Sequence, residues 1–334
     1  MYRALNKSTG EDIIILQPGW KSRLEDLRVM DRADVLVCPG CDQPVRVKAG
    51  PMKRPHFAHK HLQACSLGSE SPEILNARAV LFDMLQARFG SAVTVEHMPE
   101  GATFPRPFDC WIDLDGQRFG YWIIEAGIKQ EPREAIRAGF AKLAEEGTVR
   151  SIHIVFLHTM LNEERKEYQS LLLTPTERAF LRTTPYDTAL AGMTEPGATL
   201  HYLDAITPTG VLITYRDLRL HHKPNWYRGL KKAAPLDDLR ISPVDGSFVY
   251  PGELERMAKL RQKQQKAQAR AETYQRQQTE LRPPPAPPRW TPPAAPREIP
   301  ALPCATCGKI TTDYWSTFYD EQGRQLCRCR ECLQ

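Results

Sequence analysis

The chain has 334 residues, 41% apolar and 25% charged, with a formal net charge of +5. This is ordinary globular composition and argues against wholesale disorder. No stretch approaches the ~20 apolar residues of a membrane span, and the first residues lack the apolar core of a signal peptide, so membrane and secreted classes are not expected and the cytoplasm is the expected location. The charge is mild but compatible with a nucleic-acid partner. The nine cysteines are an odd number, mostly in Cys-x-x-Cys pairs. Without an export signal, that pattern reads as metal binding rather than disulfides.

Residues 1–33 read as a small β lead-in around Asp12–Leu16. Residues 34–66 read as a zinc-finger module. Cys38 and Cys41 are followed by His56 and His59, and two thiolates with two imidazoles suit tetrahedral zinc. The histidine spacing predicts one helical turn carrying both rings on one side. Four ligands leave no open position, so this zinc is expected to be structural. His61 and Cys65 stand close enough in sequence to replace a ligand.

Residues 67–160 alternate helix and strand. Glu70–Phe89 has helical apolar spacing and stops at Gly90. Val93–Glu96 is a short strand. Phe108–Leu114 and Phe119–Ile124 are strands joined through Asp115-Gly116, a hairpin signal. Glu131–Glu146 is a second helix, and Ser151–Leu157 a buried strand. The order is α-β-β-β-α-β.

Residues 161–252 read as an α/β extension, with strands near Tyr202, Val211–Tyr215 and Ser247–Tyr250. Residues 253–282 read as one exposed charged helix with eight basic and four acidic residues. Nine prolines in the eighteen positions 283–300 predict an extended spacer. A last module, 301–334, carries Cys304 and Cys307, a gap of twenty-one residues, then Cys329 and Cys332. This is zinc-ribbon spacing, with Cys327 as an alternative to Cys329. Ribbons bind nucleic acid or protein, or merely fold, so the role of this one stays open.

Chemistry would lie in the α-β-β-β-α-β segment. Asp109 sits on a strand, Glu125 ends the run Tyr121–Ile124, and Lys129 follows four residues on. A carboxylate at the end of a buried strand is costly unless it binds a metal or a hydrogen-bond partner. Aspartate, glutamate and lysine in this order are the parts of Mg²⁺-dependent phosphodiester hydrolysis. The same residues also fit a solvated hairpin with ordinary surface acids. A two-residue turn at Asp115-Gly116 pairs Asp109 with Trp122 and puts Glu125 on the opposite face; a shared ion therefore requires one extra residue or a bulge.

Several motifs in order carry a resemblance. They are Cys38-Pro39-Gly40-Cys41, Val45–Gly50, His56-Phe57-Ala58-His59-Lys60, Glu70-Ser71-Pro72-Glu73, and Arg106-Pro107-Phe108-Asp109 before the acid Glu125. Over residues 1–160 the chain resembles the CoiA competence protein family. The resemblance implies a zinc finger joined to a restriction-endonuclease-like core of the PD-(D/E)xK type that processes DNA for recombination during transformation. It also implies metal-binding roles for Asp109 and Glu125 and an assisting role for the helix residue Glu73. The sequence departs from the family at Ile74 and Arg78, where His and Lys are usual, and at Gly127, where Gln is usual. Lys129 is the nearest lysine, two positions displaced.

The resulting expectation is an α/β protein: a restriction-endonuclease-like core with an N-terminal zinc finger and a C-terminal zinc ribbon. Its cofactors would be two structural zinc ions and magnesium, with Asp109, Glu125, Lys129 and Glu73 as catalytic residues. Arg78, Arg133, Lys142 and the 253–282 helix would touch DNA phosphates. Recombination or DNA-processing proteins would engage the C-terminal module. The competing expectations are a catalytically inactive zinc-containing DNA-binding or adaptor protein, and a nuclease of a defence system.

Overall fold

The computed structural model describes residues 1–50, 54–61, 65, 67, 70–102, 104–161, 166–167, 170–182, 197–207, 209–281 and 299–333. Contacts divide the chain into two units, Met1–Ala269 and Arg270–Gln334. Among the described residues no helix is long and apolar enough to cross a membrane.

The first unit opens with β1 (Arg3–Asn6), β2 (Asp12–Ile14), α1 (Pro18–Lys21), α2 (Leu24–Arg32) and β3 (Leu36–Val37). β1 pairs antiparallel with both β2 and β3. β4 (Val45–Lys48) and β5 (His56–His59) form a separate hairpin in which Val45 faces His59 and Lys48 faces His56. The helical turn expected over His56–His59 is thus a strand. Pairing explains why: Phe57 is the buried residue of β5 and lies opposite Val47 of β4.

α3 (Pro72–Phe89) starts where Ser71 accepts the Ile74 N–H and Pro72 sets the first helical φ. It ends at Gly90, whose φ of 56° a side chain would resist. Then come β6 (Val93–His97), β7 (Phe108–Leu114), β8 (Gln117–Ile124), α4 (Gln130–Glu145) and β9 (Ser151–Leu157). Asp115 (φ 50°) and Gly116 (φ 83°) make the two-residue turn that suits twisted strands.

The sheet does not stop at residue 160. β10 (Lys166–Glu167), β11 (Ser170–Leu172), the short helix α5 (Pro175–Ala179), β12 (Ala198–Asp204), β13 (Val211–Leu220) and β14 (Trp226–Pro235) follow. One nine-stranded sheet results, in the order β10-β11-β14-β13-β12-β9-β8-β7-β6. β9 lies parallel to β8 on one side and to β12 on the other; the remaining pairings are antiparallel. α3 packs on one face, with Leu81, Phe82 and Leu85 against Cys110, Ile112 and Tyr121. α4 packs on the other, with Ile136 and Leu143 near Trp111 and Trp122. A two-stranded pair, β15 (Arg240–Ile241) and β16 (Phe248–Val249), precedes the 29-residue helix α6 (Glu253–Leu281).

The second unit carries β17 (Leu302–Pro303), β18 (Ile310–Thr311), β19 (Tyr314–Tyr319) and β20 (Gln325–Cys329) as two hairpins. Its buried core is Leu302, Cys304, Cys327 and Cys329, with Tyr314 against it. Most of the proline-rich spacer expected over 283–300 lies outside the described residues.

Candidate functional site

The β3–β4 turn and β5 bring the first metal-ligating cluster together. Ligand atoms of Cys38, Cys41, His59 and Cys65 all lie within 4.8 Å of one another. Cys38 and Cys65 sulfurs are 3.8 Å apart, and Cys41 Sγ is 3.3 Å from His59 Nε2. Sulfurs held at ~2.3 Å around a tetrahedral zinc stand ~3.8 Å apart, so this cluster could hold the ion. Burial above all pushes the Cys38 thiol up to about 12, with Cys65 and Cys41 adding to the rise against the Gly40 N–H. A cation among the sulfurs reverses that penalty.

His56 is not in this group. It lies three residues from His59 on a strand, hence on the other face, and its Nδ1 bonds the Arg54 carbonyl at 2.9 Å. Cys65 takes the fourth corner. A strand reading of Val45–Lys48 and His56–His59 from their alternating apolar residues would have pointed to it.

The second cluster joins Cys304, Cys307, Cys329 and Cys332, again within 4.8 Å. Cys307 and Cys329 sulfurs are 3.8 Å apart, the same tetrahedral edge. Backbone N–H groups of Cys329, Cys307 and Thr306 pull the Cys304 thiol down to about 5. Cys327 is outside the group; its thiol donates to the Leu302 carbonyl at 3.3 Å. Among the described residues, only these two places gather three or more groups able to share an ion.

The acids of the sheet are arranged differently. Arg78, expected to meet phosphate or solvent, is fully buried. The segment before α3, β6 and β7 supply its partners. Nε and Nη2 donate to Asp109 Oδ1 at 3.0 and 2.7 Å. Nη1 donates to Glu70 Oε2 at 2.7 Å and also to Glu96, and Nη2 donates to Glu70 Oε1. All five guanidinium donors are used. Glu96 in turn accepts the backbone N–H of Tyr2 at 2.7 Å and of Arg3 at 3.1 Å. Burial alone would lower the Arg78 pKa, but Asp109, Glu70 and Glu96 hold it well above its ordinary value.

On its other oxygen, Asp109 accepts Arg106 Nη1 at 2.8 Å and the Ile123 N–H at 2.6 Å. Four hydrogen bonds thus fill the roughly four lone-pair sites of one carboxylate. Burial would raise the Asp109 carboxyl, yet Arg106, Arg78 and the Ile123 amide hold it below the usual range. Arg106 also stacks 4.4 Å above the Trp122 ring. As arranged, Asp109 offers magnesium no coordination position, so the residues present do not fit that ion.

Glu125 is exposed at the end of β8 and accepts a hydrogen bond from Ser71 Oγ. The β7–β8 ladder is regular from Cys110–Tyr121 to Leu114–Gln117, without the extra loop residue. The alternation breaks earlier. Phe108 and Trp111 pack in one cluster, while the adjacent Asp109 and Cys110 both reach Arg78. Asp109 and Glu125 consequently both meet α3, Asp109 through the Arg78 guanidinium and Glu125 through the N-cap Ser71. Lys129 is exposed at the N-cap of α4. Glu73 is exposed in the first turn of α3, beside a cavity of about 80 Å³ that Asn76, His158 and Asp204 also line.

Residues 20–68 match the family model for the N-terminal domain of competence protein CoiA. Over this stretch, about a seventh of the chain, the sequence is similar to that domain. All four residues of the first cluster fall inside the match, which also covers β4 and β5. The resemblance drawn from the motifs is supported over residues 20–68. No curated protein and no solved structure matches the chain.

Proposed function

We propose that this CoiA-like chain acts in DNA uptake or recombination as a zinc-stabilised DNA-binding protein that does not cut DNA. Cys38, Cys41, His59 and Cys65 hold one zinc, and Cys304, Cys307, Cys329 and Cys332 the other. The observation that carries the non-catalytic reading is Asp109, whose four hydrogen bonds from Arg78, Arg106 and Ile123 occupy the oxygens a nuclease would give to its metal. The CoiA domain supplies the competence context.

A second reading is a magnesium nuclease of the PD-(D/E)xK type, in competence or in defence. It has Asp109 and Glu125 on the ion, with Lys129 and Glu73 assisting. The α-β-β-β-α-β order, and the meeting of both acids with α3, favour it. It requires Arg78 and Arg106 to release Asp109. A nicking assay on plasmid and single-stranded DNA with Mg²⁺ or Mn²⁺ separates the two. The proposal expects no cleavage by wild type. Metal-dependent cleavage that Asp109→Ala abolishes would establish the nuclease.

A further inference from the structure

The geometry points to β19, in the C-terminal unit, as a self-pairing edge: two copies of the chain join there as antiparallel strands. The inference stands apart from the DNA-binding reading, since it concerns how many chains act together. β19 bonds β20 on one side, and its other edge has no strand partner among the described residues. Such an edge offers a row of N–H and C=O groups to another strand.

The outer strands of the large sheet are guarded. At β6, the Glu96 carboxylate takes the backbone N–H groups of Tyr2 and Arg3, and the Glu96 carbonyl accepts Arg3 Nη1. β10 is two residues long, and both are charged. β19 is six residues, Tyr-Trp-Ser-Thr-Phe-Tyr, without charge, proline or glycine. Its one guard is a bulge at Trp315, which leaves Ser316–Tyr319 regular. The nearest acids lie just beyond its ends and are already paired, Asp313 with Arg330 at 3.2 Å and Asp320 with Arg324 at 2.8 Å. Nothing within the strand repels its own copy.

The side chains identify the occupant. Trp315, Phe318 and Tyr319 are exposed. Lys309, Arg324 and Arg330 each hold an acid, whereas Arg328 has none among the described residues and lies 5.7 Å from the Phe318 ring. One such cation gives a phosphate chain little to hold, so the rings suit an uncharged strand. Ser316 and Phe318 lie opposite Arg328 and Leu326 on one face, and Thr317 lies opposite the buried Cys327 on the other. A two-fold axis normal to the sheet keeps these faces, so like must meet like in face. With Thr317 on the axis, it meets the partner's Thr317, and Ser316 meets the partner's Phe318. Threonine pairs are favourable across strands, and the short serine leaves room for the ring within reach of Arg328. At ~200 Å² for a whole ring, the exposed aromatics can hide roughly 400 Å² per copy. That is the size of a weak, reversible contact.

Sedimentation equilibrium of the full zinc-loaded chain from ~1 to ~100 μM tests this. Wild type should pass from mostly monomer to mostly dimer. Thr317→Lys and Thr317→Glu each put like charges on the axis and should weaken the dimer by about fivefold, while an equimolar mixture of the two should associate within about threefold of wild type. Trp315→Ser with Phe318→Ser should weaken it by at least ~10-fold. A wild type that stays monomeric overturns the proposal. Dimers that all these variants leave unchanged overturn it too, because the contact then lies elsewhere. If a monomer binds oligo-dT and Trp315→Ser loses that binding, the rings belong to nucleic acid and the pairing falls. Where a variant holds fewer than two zinc ions, hydrogen exchange on wild type decides: slowing over 315–319 as concentration rises supports the pairing, and no slowing there overturns it.

Discussion

The two cysteine clusters have nearly the same geometry and very different surroundings. Around the N-terminal cluster, Cys38 belongs to the same apolar core as Val45, Phe57, Leu81 and Tyr121, so the metal site is an annex of a large folded body. Around the C-terminal cluster the buried core is Leu302 and three of the cysteines, while Trp315 is 74% and Tyr319 69% exposed. Clusters of four ligands at the same spacing can thus do unequal work. One locks a local turn; the other substitutes for a core.

The largest expected effect follows from that contrast. Cys329→Ser, or a strong chelator, should unfold the C-terminal unit altogether, since structural zinc contributes ~10–16 kcal/mol to modules of this kind. Loss of amide-proton dispersion confined to residues 301–333 would show it. A ribbon that stays folded without metal would break the comparison.

Next, Arg78→Ala should cost ~3–5 kcal/mol, because it leaves Asp109, Glu70 and Glu96 buried without their cation. Denaturant unfolding of the first unit reads this out. If Arg78→Ala is as stable as wild type, the arginine is not the fastening of that site. Smaller still, Cys65→Ser should reduce zinc from about two ions per chain to about one while the sheet stays folded; His56→Ala should keep both. Elemental analysis that finds the reverse would restore His56 as the ligand.

A pH dependence of the first unit is also expected. Burial lowers His97 to about 4, and it lowers His153 and His201 well below their ordinary value. The unfolded chain binds these protons near pH ~6.5 and the folded chain does not. Stability is therefore full above that pH and falls below it by up to ~1.4 kcal/mol per pH unit for each histidine. A flat stability profile between pH 7 and 5 would contradict the burial of these rings.

What could be read in the sequence was what is local. The Cys-x-x-Cys pairs, the Asp115-Gly116 turn, the Ser71-Pro72 helix start and the α-β-β-β-α-β order each depend on neighbours in the chain. The choice between His56 and Cys65 turned on whether four residues are helix or strand, a choice made by pairing with Val45–Lys48. Arg78 was illegible for a stronger reason. An arginine can be buried there only because Glu70 from the segment before α3, Glu96 from β6 and Asp109 from β7 arrive around it. β14 hid in the same way: Arg228, Lys231 and Lys232 give it the composition of a solvated loop, and its neighbours β13 and β11 make it a strand.

Strand order also sets an order in time. β11 is made before β12, β13 and β14, yet its partner in the sheet is β14, Ser170 facing Arg228. At ~5–20 residues per second, the intervening chain takes several seconds to synthesise. Through that interval β9 likewise waits for β12, since His201 pairs with Val155. The sheet edge along β9 is therefore open during synthesis and closes only when β12 has emerged. Non-local pairing of this kind folds slowly. A nascent chain stalled near residue 200 would present that bare edge, and would be the species most prone to pair with another copy of itself.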